Sequence, residues 1–214
     1  MLITITEPES FFDCFSSLPD PIKDINKKHL MIDIIFITVC AVISGVTSWE
    51  QIEDFAIDRE EWLRKYISLP NGIPSHDTIR YLFLFLNENA FSKAFAEWVK
   101  MIKPKLEDMH IAIDGKTTIE KRFYISNCKK DNEKIAKYIR GHWGIENSFH
   151  WVLDMDFNED QCRKRMKNSA KNIATVRKIA LNMLKNEKTY KASIKSKILK
   201  AARNTDYLEN VLGI

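Results

Sequence analysis

The sequence predicts a mainly α-helical protein that also contains one short pair of β-strands, an α+β chain in which helices dominate. Apolar residues recur at helical spacing through residues 11–102 and again through 170–203. Between these segments, β-branched and polar residues alternate at His110–Lys116 and at Lys121–Ser126, which predicts two strands. The short connection between the two runs favours a hairpin.

The first half of the chain, residues 1–105, is predicted to form a helical N-terminal domain. Ser48, Ser75 and Asn89 stand where helix N-caps are expected. The predicted helices are Phe11–Leu18, His29–Gly45, Trp49–Ile67, His76 to about Leu86, and Ala90 to about Ile102.

The most apolar run, Leu30–Val46, is 17 residues long and contains Asp33. A membrane helix needs about 20 apolar residues and tolerates a central carboxylate poorly. The run therefore predicts a buried core helix, and we expect no membrane association.

The second half, residues 106–214, begins with the two strands and continues as helices. Asp131 opens a helix that is predicted to reach about Leu153, followed by an acidic loop at 154–160. Asn168 or Ser169 is predicted to cap a helix over Ala170–Glu187, and a last helix spans about Lys191–Arg203. The long helix has an inward-facing set of apolar residues: Ile173, Val176, Ala180, Met183 and Leu184. It also has a basic stripe: Lys164, Lys167, Lys171, Lys178 and Lys185.

Charge is distributed very unevenly along the chain. Residues 1–100 carry 9 Lys and Arg against 15 Asp and Glu, whereas residues 101–214 carry 24 against 14. Gln161–Asn204 contains 14 basic residues and a single acidic residue, Glu187. A basic block of this density indicates a polyanionic partner, above all nucleic acid. A solvated lysine-rich helical face with no partner is the alternative.

Four widely spaced cysteines form no CxxC pair, and the N-terminus lacks the pattern of a signal peptide. Together these features predict a cytoplasmic protein. Neither a disulfide framework nor a cysteine-based zinc site is indicated.

The densest group of chemically active side chains lies in Tyr138–Trp151. On a helix, His142, Glu146 and His150 share one face, and Trp143, Asn147 and Trp151 form the neighbouring stripe. Glu146 could then be a metal ligand, a DNA-contacting residue or a structural residue. A zinc site on this face is disfavoured because the spacing is not that of His-Glu-x-x-His.

Several strings along the chain together resemble one family of mobile-element proteins, the H-repeat-associated (ISAs-type) insertion-sequence transposases. The strings are Ser75-His76-Asp77-Thr78, Ala112-Ile113-Asp114-Gly115-Lys116-Thr117, His142-Trp143-Gly144-Ile145-Glu146-Asn147-Ser148, His150-Trp151-Val152-Leu153-Asp154, Phe157-Asn158-Glu159-Asp160, and Ala180-Leu181-Asn182-Met183-Leu184-Lys185 with Asn172. The resemblance covers two blocks, about Phe11–Thr118 and Glu120–Leu212.

The resemblance implies a DDE transposase, whose catalytic domain is similar to ribonuclease H and whose three acidic residues hold two divalent metals, usually Mg²⁺. Asp114 is implied to be the first acid and Glu146 the last, both as catalytic residues and as metal ligands. Basic residues are implied to bind the double-stranded DNA of transposon ends: Lys116, Arg140, Arg163, Lys164, Arg165, Lys167, Lys171, Arg177 and Lys178. A protein of this kind is expected at the bacterial nucleoid, as a homo-oligomer or a mixed oligomer with intact transposase.

The sequence departs from the family pattern between the two strands, where intact members have a long central segment carrying the second catalytic Asp. Asp114 and Glu146 are only 32 positions apart. The chain is therefore interpreted as an internally deleted transposase, joined near Thr118–Ile119, with an incomplete ribonuclease-H-like domain and impaired catalysis. Two alternatives remain open: a residual metal-dependent nuclease that uses Asp154 as a substitute acid, and a non-catalytic DNA-binding remnant that interferes with intact copies.

Overall fold

The computed structural model describes residues 11–22, 27–102, 115–118, 121–124, 151–157 and 167–214. The helices are α1 Phe11–Ser16, α2 Met31–Ile43, α3 Trp49–Asp58, α4 Glu60–Leu63, α5 His76–Phe85, α6 Glu88–Ile102, α7 Trp151–Phe157, α8 Ser169–Asn186, α9 Ile194–Arg203 and α10 Thr205–Leu212. The strands β1 Gly115–Thr118 and β2 Lys121–Tyr124 pair antiparallel, with Gly115 opposite Tyr124. The prediction of a mainly helical chain is confirmed, while the ribonuclease-H-like arrangement stays a prediction.

Two helices from opposite ends of the chain form the centre of the molecule. Helix α2 is buried along almost its whole length, and α8 packs against α2, α5 and α6. Helices α7, α9 and α10 also contact α8. Buried apolar side chains from Phe11 to Val211 thus belong to one continuous core. The domain boundary at residues 105/106 stays a prediction, since 103–114 lie outside the described residues.

Helix α2 is a core helix, as the sequence predicts. Burial raises the pKa of the Asp33 carboxyl at its N-terminal end. Gly45, with φ at +85°, ends the helix: its N–H donates to the Val42 carbonyl at 3.0 Å, and the Val46 N–H donates to the Ala41 carbonyl at 3.0 Å. Within the described part of the chain, no helix combines the length and the apolar character needed to cross a membrane.

The predicted helix Trp49–Ile67 is wrong, because the chain leaves helical geometry at Arg59 and forms α3 and α4 instead. Arg59 has φ −122° and ψ +21°. Its guanidinium lies 5.0 Å from the Phe55 ring centroid and donates to the Ala202 carbonyl at the end of α9. This long-range contact occurs at the break, which no local proline or glycine predicts.

Three other predicted boundaries also need correction. Helix α6 is capped by Asn87, whose Oδ1 accepts from the Ala90 N–H at 2.9 Å, and not by Asn89. Residues 154–157 belong to α7, so the predicted acidic loop cannot begin at Asp154. The final predicted helix begins only at Ile194, capped by Ser193, and α10 follows it unpredicted.

Side chains of α8 hold the end of α5 in place. The Asn172 Nδ2 donates to the carbonyls of Phe83 at 2.9 Å and Leu86 at 3.0 Å. The Asn168 Nδ2 also donates to the Leu86 carbonyl, at 3.1 Å. Asn168 therefore caps the C-terminus of α5, and its side chain makes no capping bond to α8.

Candidate nucleic-acid interface

Three of the five lysines that the sequence places in a basic stripe lie on α8. Lys167 lies two residues before the first residue of the helix and is exposed, as are Lys171 and Lys178, while Lys185 is half-buried. The buried positions predicted from the apolar spacing, Ile173 through Leu184, face the core. We call Lys167, Lys171, Lys178 and Lys185 the α8 stripe. Over the 14 residues from Lys171 to Lys185 the helix rises about 21 Å.

One of the predicted DNA-binding residues lies on the other side of this helix. The Arg177 side chain is only 4% exposed. It lies on the same buried face of the helix as Val176 and Ala180. Grouping basic residues by sequence proximity did not separate it from its exposed neighbours, although helical spacing alone places it with the apolar set. Arg177 is therefore not part of the α8 stripe.

The remaining predicted site residues have no described side chain. Asp114, Arg140, Glu146, Arg163, Lys164 and Arg165 lie outside the described residues. Lys116 lies in β1 opposite Phe123, and only its backbone position is described. The proximity of Asp114 and Glu146 therefore stays a prediction.

Exposed aromatic side chains lie near the start of the α8 stripe, and the sequence analysis missed them. Tyr81 and Phe85, one turn apart on α5, have ring centroids 4.5 Å apart and are 49% and 38% exposed. The Lys167 Nζ lies 3.7 Å from the Phe85 ring centroid. We call Tyr81 and Phe85 the aromatic pair. Helical spacing could have predicted the exposure of Tyr81 and Phe85, because both positions fall outside the buried set Ile79, Leu82 and Phe83.

An open cleft of about 580 Å³ adjoins the aromatic pair at Tyr81. Lys28, His29, Asn71 and Thr78 contribute to its polar lining. Burial, and then the nearby Lys28 charge, lowers the pKa of His29, so its imidazole is mainly neutral at neutral pH. The cleft therefore offers hydrogen-bonding groups, cationic side chains and the Asp77 carboxylate beside an exposed ring.

The Ser75-His76-Asp77-Thr78 string forms a capped and cross-linked helix start. The Ser75 hydroxyl accepts from the Thr78 N–H at 3.4 Å. The Glu53 Oε2 accepts from the His76 backbone N–H at 2.9 Å and lies 2.5 Å from His76 Nδ1. The bond to Glu53 raises the pKa of His76, and the backbone and side-chain bonds from His76 lower the pKa of Glu53. This ion pair joins α3 to α5.

The described residues include no group of three or more His, Cys, Asp or Glu side chains that could hold a metal ion. The two carboxylates implied as ligands, Asp114 and Glu146, lie outside that part of the chain. As a donor set they supply two of the three acidic groups that the family arrangement uses. They do not suffice for a pair of Mg²⁺ ions about 3.5–4 Å apart.

Comparison with known proteins places the chain among transposases. The family model described as DDE_Tnp_1-associated matches residues 12–99. "Putative transposase YncI" of Escherichia coli O157:H7 is 25% identical over 96% of this chain and 95% of its own length. "H repeat-associated putative transposase YhhI" of E. coli K12 is 23% identical over 97% of this chain and 98% of its own length. "Inactive transposase YbfQ" of E. coli K12 is 41% identical over 34% of this chain and 87% of its own length. No solved structure matches the chain.

These matches define a transposase-class protein. The chain belongs to the H-repeat-associated transposase family.

The alignment with YncI also shows that this chain is much shorter than the region of its relative that it matches. It extends over 369 positions, whereas this chain has 214 residues. At least 155 aligned positions (369 less 214) therefore have no residue in this chain. The chain aligns with 95% of the length of YncI, so the missing positions lie within the aligned region and not at its ends.

Proposed function

We propose that this protein binds the double-stranded DNA of transposon ends and does not complete strand transfer efficiently by itself. The observation that carries the proposal is the α8 stripe, in which three exposed lysines and the half-buried Lys185 follow one side of a helix whose opposite face is buried in the core. Lysines that neutralise backbone phosphates release counterions from DNA, which gives affinity without base recognition.

The α8 stripe is well suited to this role because the helix that carries it is rigidly supported. Apolar contacts with α2, α5 and α6 fix its inner face, and the bonds from Asn168 and Asn172 fix its N-terminal end against α5. A preorganised row of charges loses less side-chain and backbone freedom on binding than a flexible basic tail. Among the predicted contacts, the exposed lysines would bind phosphate, whereas Arg177 is buried.

Two observations support impaired catalysis: the chain is much shorter than YncI, and Asp114 and Glu146 are the only two of the three catalytic acids for which the family resemblance identifies a residue. The 155 or more missing positions accommodate the central segment that would carry the second catalytic Asp. Residues 106–214 would then form a truncated ribonuclease-H-like domain attached to the helical domain 1–105. With Asp114 and Glu146 alone, the protein lacks one of the acidic ligands on which DDE chemistry depends. Loss of one member of a catalytic set that works as a unit removes most of the rate.

Because DNA affinity survives without efficient catalysis, the protein acts as an interfering family member. It competes with intact transposase for transposon ends, or joins it in mixed oligomers. Both routes lower the yield of strand transfer by the intact enzyme.

A strand-transfer assay tests this proposal. Labelled transposon-end duplex, a supercoiled target and Mg²⁺ are incubated with this protein, with an intact family member, and with both. We expect no joined product from this protein alone and a dose-dependent loss of product from the intact enzyme. Bovine serum albumin at equal concentration controls for nonspecific inhibition. Efficient joining by this protein alone, or an undiminished yield in the mixture, would contradict the proposal.

A further inference from the structure

We infer that the aromatic pair and the adjoining cleft form a second DNA contact, one that accepts an unpaired nucleotide next to the duplex bound by the α8 stripe. This inference rests on the proposed function. It concerns a surface that family membership does not assign, the outer face of α5.

The first step is the exposure of the aromatic pair. Tyr81 leaves 49% of its surface in solvent and Phe85 leaves 38%, although neighbouring positions of α5 supply fully buried Ile79, Leu82 and Phe83. The two rings are in contact, with centroids 4.5 Å apart and planes tilted by 40°, and Lys167 lies over the Phe85 ring, so the more exposed Tyr81 ring is the surface on which a base can stack. A base that stacks on such a platform gains contact irrespective of its identity.

The second step is the charge around the platform. Lys167 lies over Phe85, which connects the platform to the start of the α8 stripe. The two nearby acids are neutralised: Asp77 pairs with Arg80 at 2.9 Å, and Glu88 pairs with Lys171 at 2.8 Å. Each of these ion pairs is neutral as a whole, so among these side chains Lys167 supplies the positive charge that an approaching nucleotide phosphate meets.

The third step is the cleft beside Tyr81. Its volume of about 580 Å³ is ample for one nucleotide, and Lys28, Asn71 and Thr78 offer groups that can hydrogen-bond a base edge or a phosphate. The Asn71 Nδ2 already donates to the Lys28 carbonyl at 2.7 Å, which holds the two sides of the cleft together. An unpaired base fits this arrangement because its face is free to stack, whereas duplex bases are covered on both faces by their neighbours.

Fluorescence anisotropy with two labelled probes tests the inference: a blunt duplex, and the same duplex with a single-stranded thymine overhang. We expect wild-type protein to bind the overhang probe more tightly, and Tyr81→Ala or Phe85→Ala to weaken that binding by about tenfold. Binding of the blunt probe should change by less than about twofold, since the α8 stripe is intact. Tyr81→Trp should retain the overhang preference, and its added indole fluorescence should fall when the overhang binds.

Ile57→Ala is the matched control, because Ile57 is an exposed apolar residue on α3, 56% exposed and outside the cleft and the aromatic pair. Thermal unfolding of each variant confirms that the fold is retained. Equal affinity of wild-type protein for both probes, or equal weakening by Ile57→Ala, would overturn this inference while leaving duplex binding intact. Failure of wild-type protein to bind either probe would overturn the proposed function. Loss of self-association in Tyr81→Ala, with unchanged DNA binding, would assign the platform to a protein contact instead.

Discussion

At the scale of single residues, the described structure depends on polar side chains that connect distant helices. Asn172 donates to two carbonyls at the end of α5, and Glu53 on α3 binds both the backbone and the ring of His76. In each case a side chain satisfies backbone groups at a helix end that have no partner within their own helix. Asn172 and His76 both belong to the strings shared with the family pattern, and in this structure they hold the fold together.

The His76–Glu53 pair predicts a pH-dependent contribution to stability. The pKa of His76 is raised above its ordinary 6.5, so the contribution of its charged form is complete below that value and is lost as pH rises through the folded-state pKa. The pKa of Glu53 is lowered below its ordinary 4.5, so its contribution is present above 4.5 and is lost as pH falls. The pair therefore stabilises the fold most between about pH 4.5 and 6.5.

His76→Gln should lower the melting temperature most within that window and progressively less toward pH 8. The backbone N–H at position 76 still reaches Glu53 in this variant, which isolates the contribution of the ring. Thermal unfolding followed by circular dichroism across the pH range measures the difference. A difference between wild type and His76→Gln that does not vary with pH would contradict the assignment of an ion pair.

At the scale of elements, the end of α8 is held by a buried polar cluster around Glu187. The Lys197 Nζ on α9 donates to the Leu184 carbonyl at 2.9 Å and lies 3.0 Å from Glu187 Oε2. The Tyr207 hydroxyl on α10 donates to the same carboxylate oxygen at 2.8 Å. Burial opposes ionisation of Glu187, but hydrogen bonds from Thr189, Tyr207 and Lys197 outweigh it and lower the pKa of this carboxyl to about 2. The cluster joins α8, α9 and α10.

Lys197→Met should destabilise the protein by about 3 kcal/mol, because it leaves a buried carboxylate without its cation and α8 carbonyls without their donor. Lys191→Met, which changes an exposed lysine of the preceding turn, should cost no more than about 0.5 kcal/mol. Urea unfolding at pH 7 measures both differences. Equal stabilities of the two variants would show that the cluster contributes little.

Much at this scale could be predicted from local sequence. The serine caps at 48 and 75, the core helix α2 and the buried face of α8 follow from propensity and spacing. The break at Arg59 could not be predicted, because no local proline or glycine marks it and the partner of the Arg59 side chain, the Ala202 carbonyl, lies more than a hundred residues away. Nothing local distinguishes Lys197 from the other basic residues of Gln161–Asn204, yet it is 6% exposed, since its partner Glu187 is adjacent only after α8 and α9 fold together.

At the scale of the whole molecule, the central finding is that C-terminal helices complete the core begun by the N-terminal helices. Without α8, the inner surfaces of α2, α5 and α6 would lose a shared partner. A chain that lacks a long internal segment relative to YncI thus still has an extensive core in its described residues. The basic surface and the fold are therefore linked, because the same helix carries the α8 stripe outside and core residues inside.

The candidate site was only partly accessible from sequence. Lysine periodicity predicted the exposed positions Lys171 and Lys178, and confirmed burial of their neighbours supports that interpretation. The burial of Arg177 and the exposure of the aromatic pair depend on the face of the helix that each residue occupies, which a count of charges along the chain does not distinguish. The acidic residues Asp114 and Glu146 remain predictions from the family resemblance.

The salt dependence of duplex binding tests the central claim most directly. The logarithm of the association constant is measured against the logarithm of salt concentration for wild type, for Lys171→Gln/Lys178→Gln, and for the charge-matched control Arg64→Gln/Lys65→Gln. We predict a steep negative slope for wild type and the control, and a slope shallower by about 2 for the α8 variant, because two phosphate contacts are lost. Identical slopes for all three proteins, or no measurable slope in wild type, would contradict the claim that the α8 stripe binds DNA.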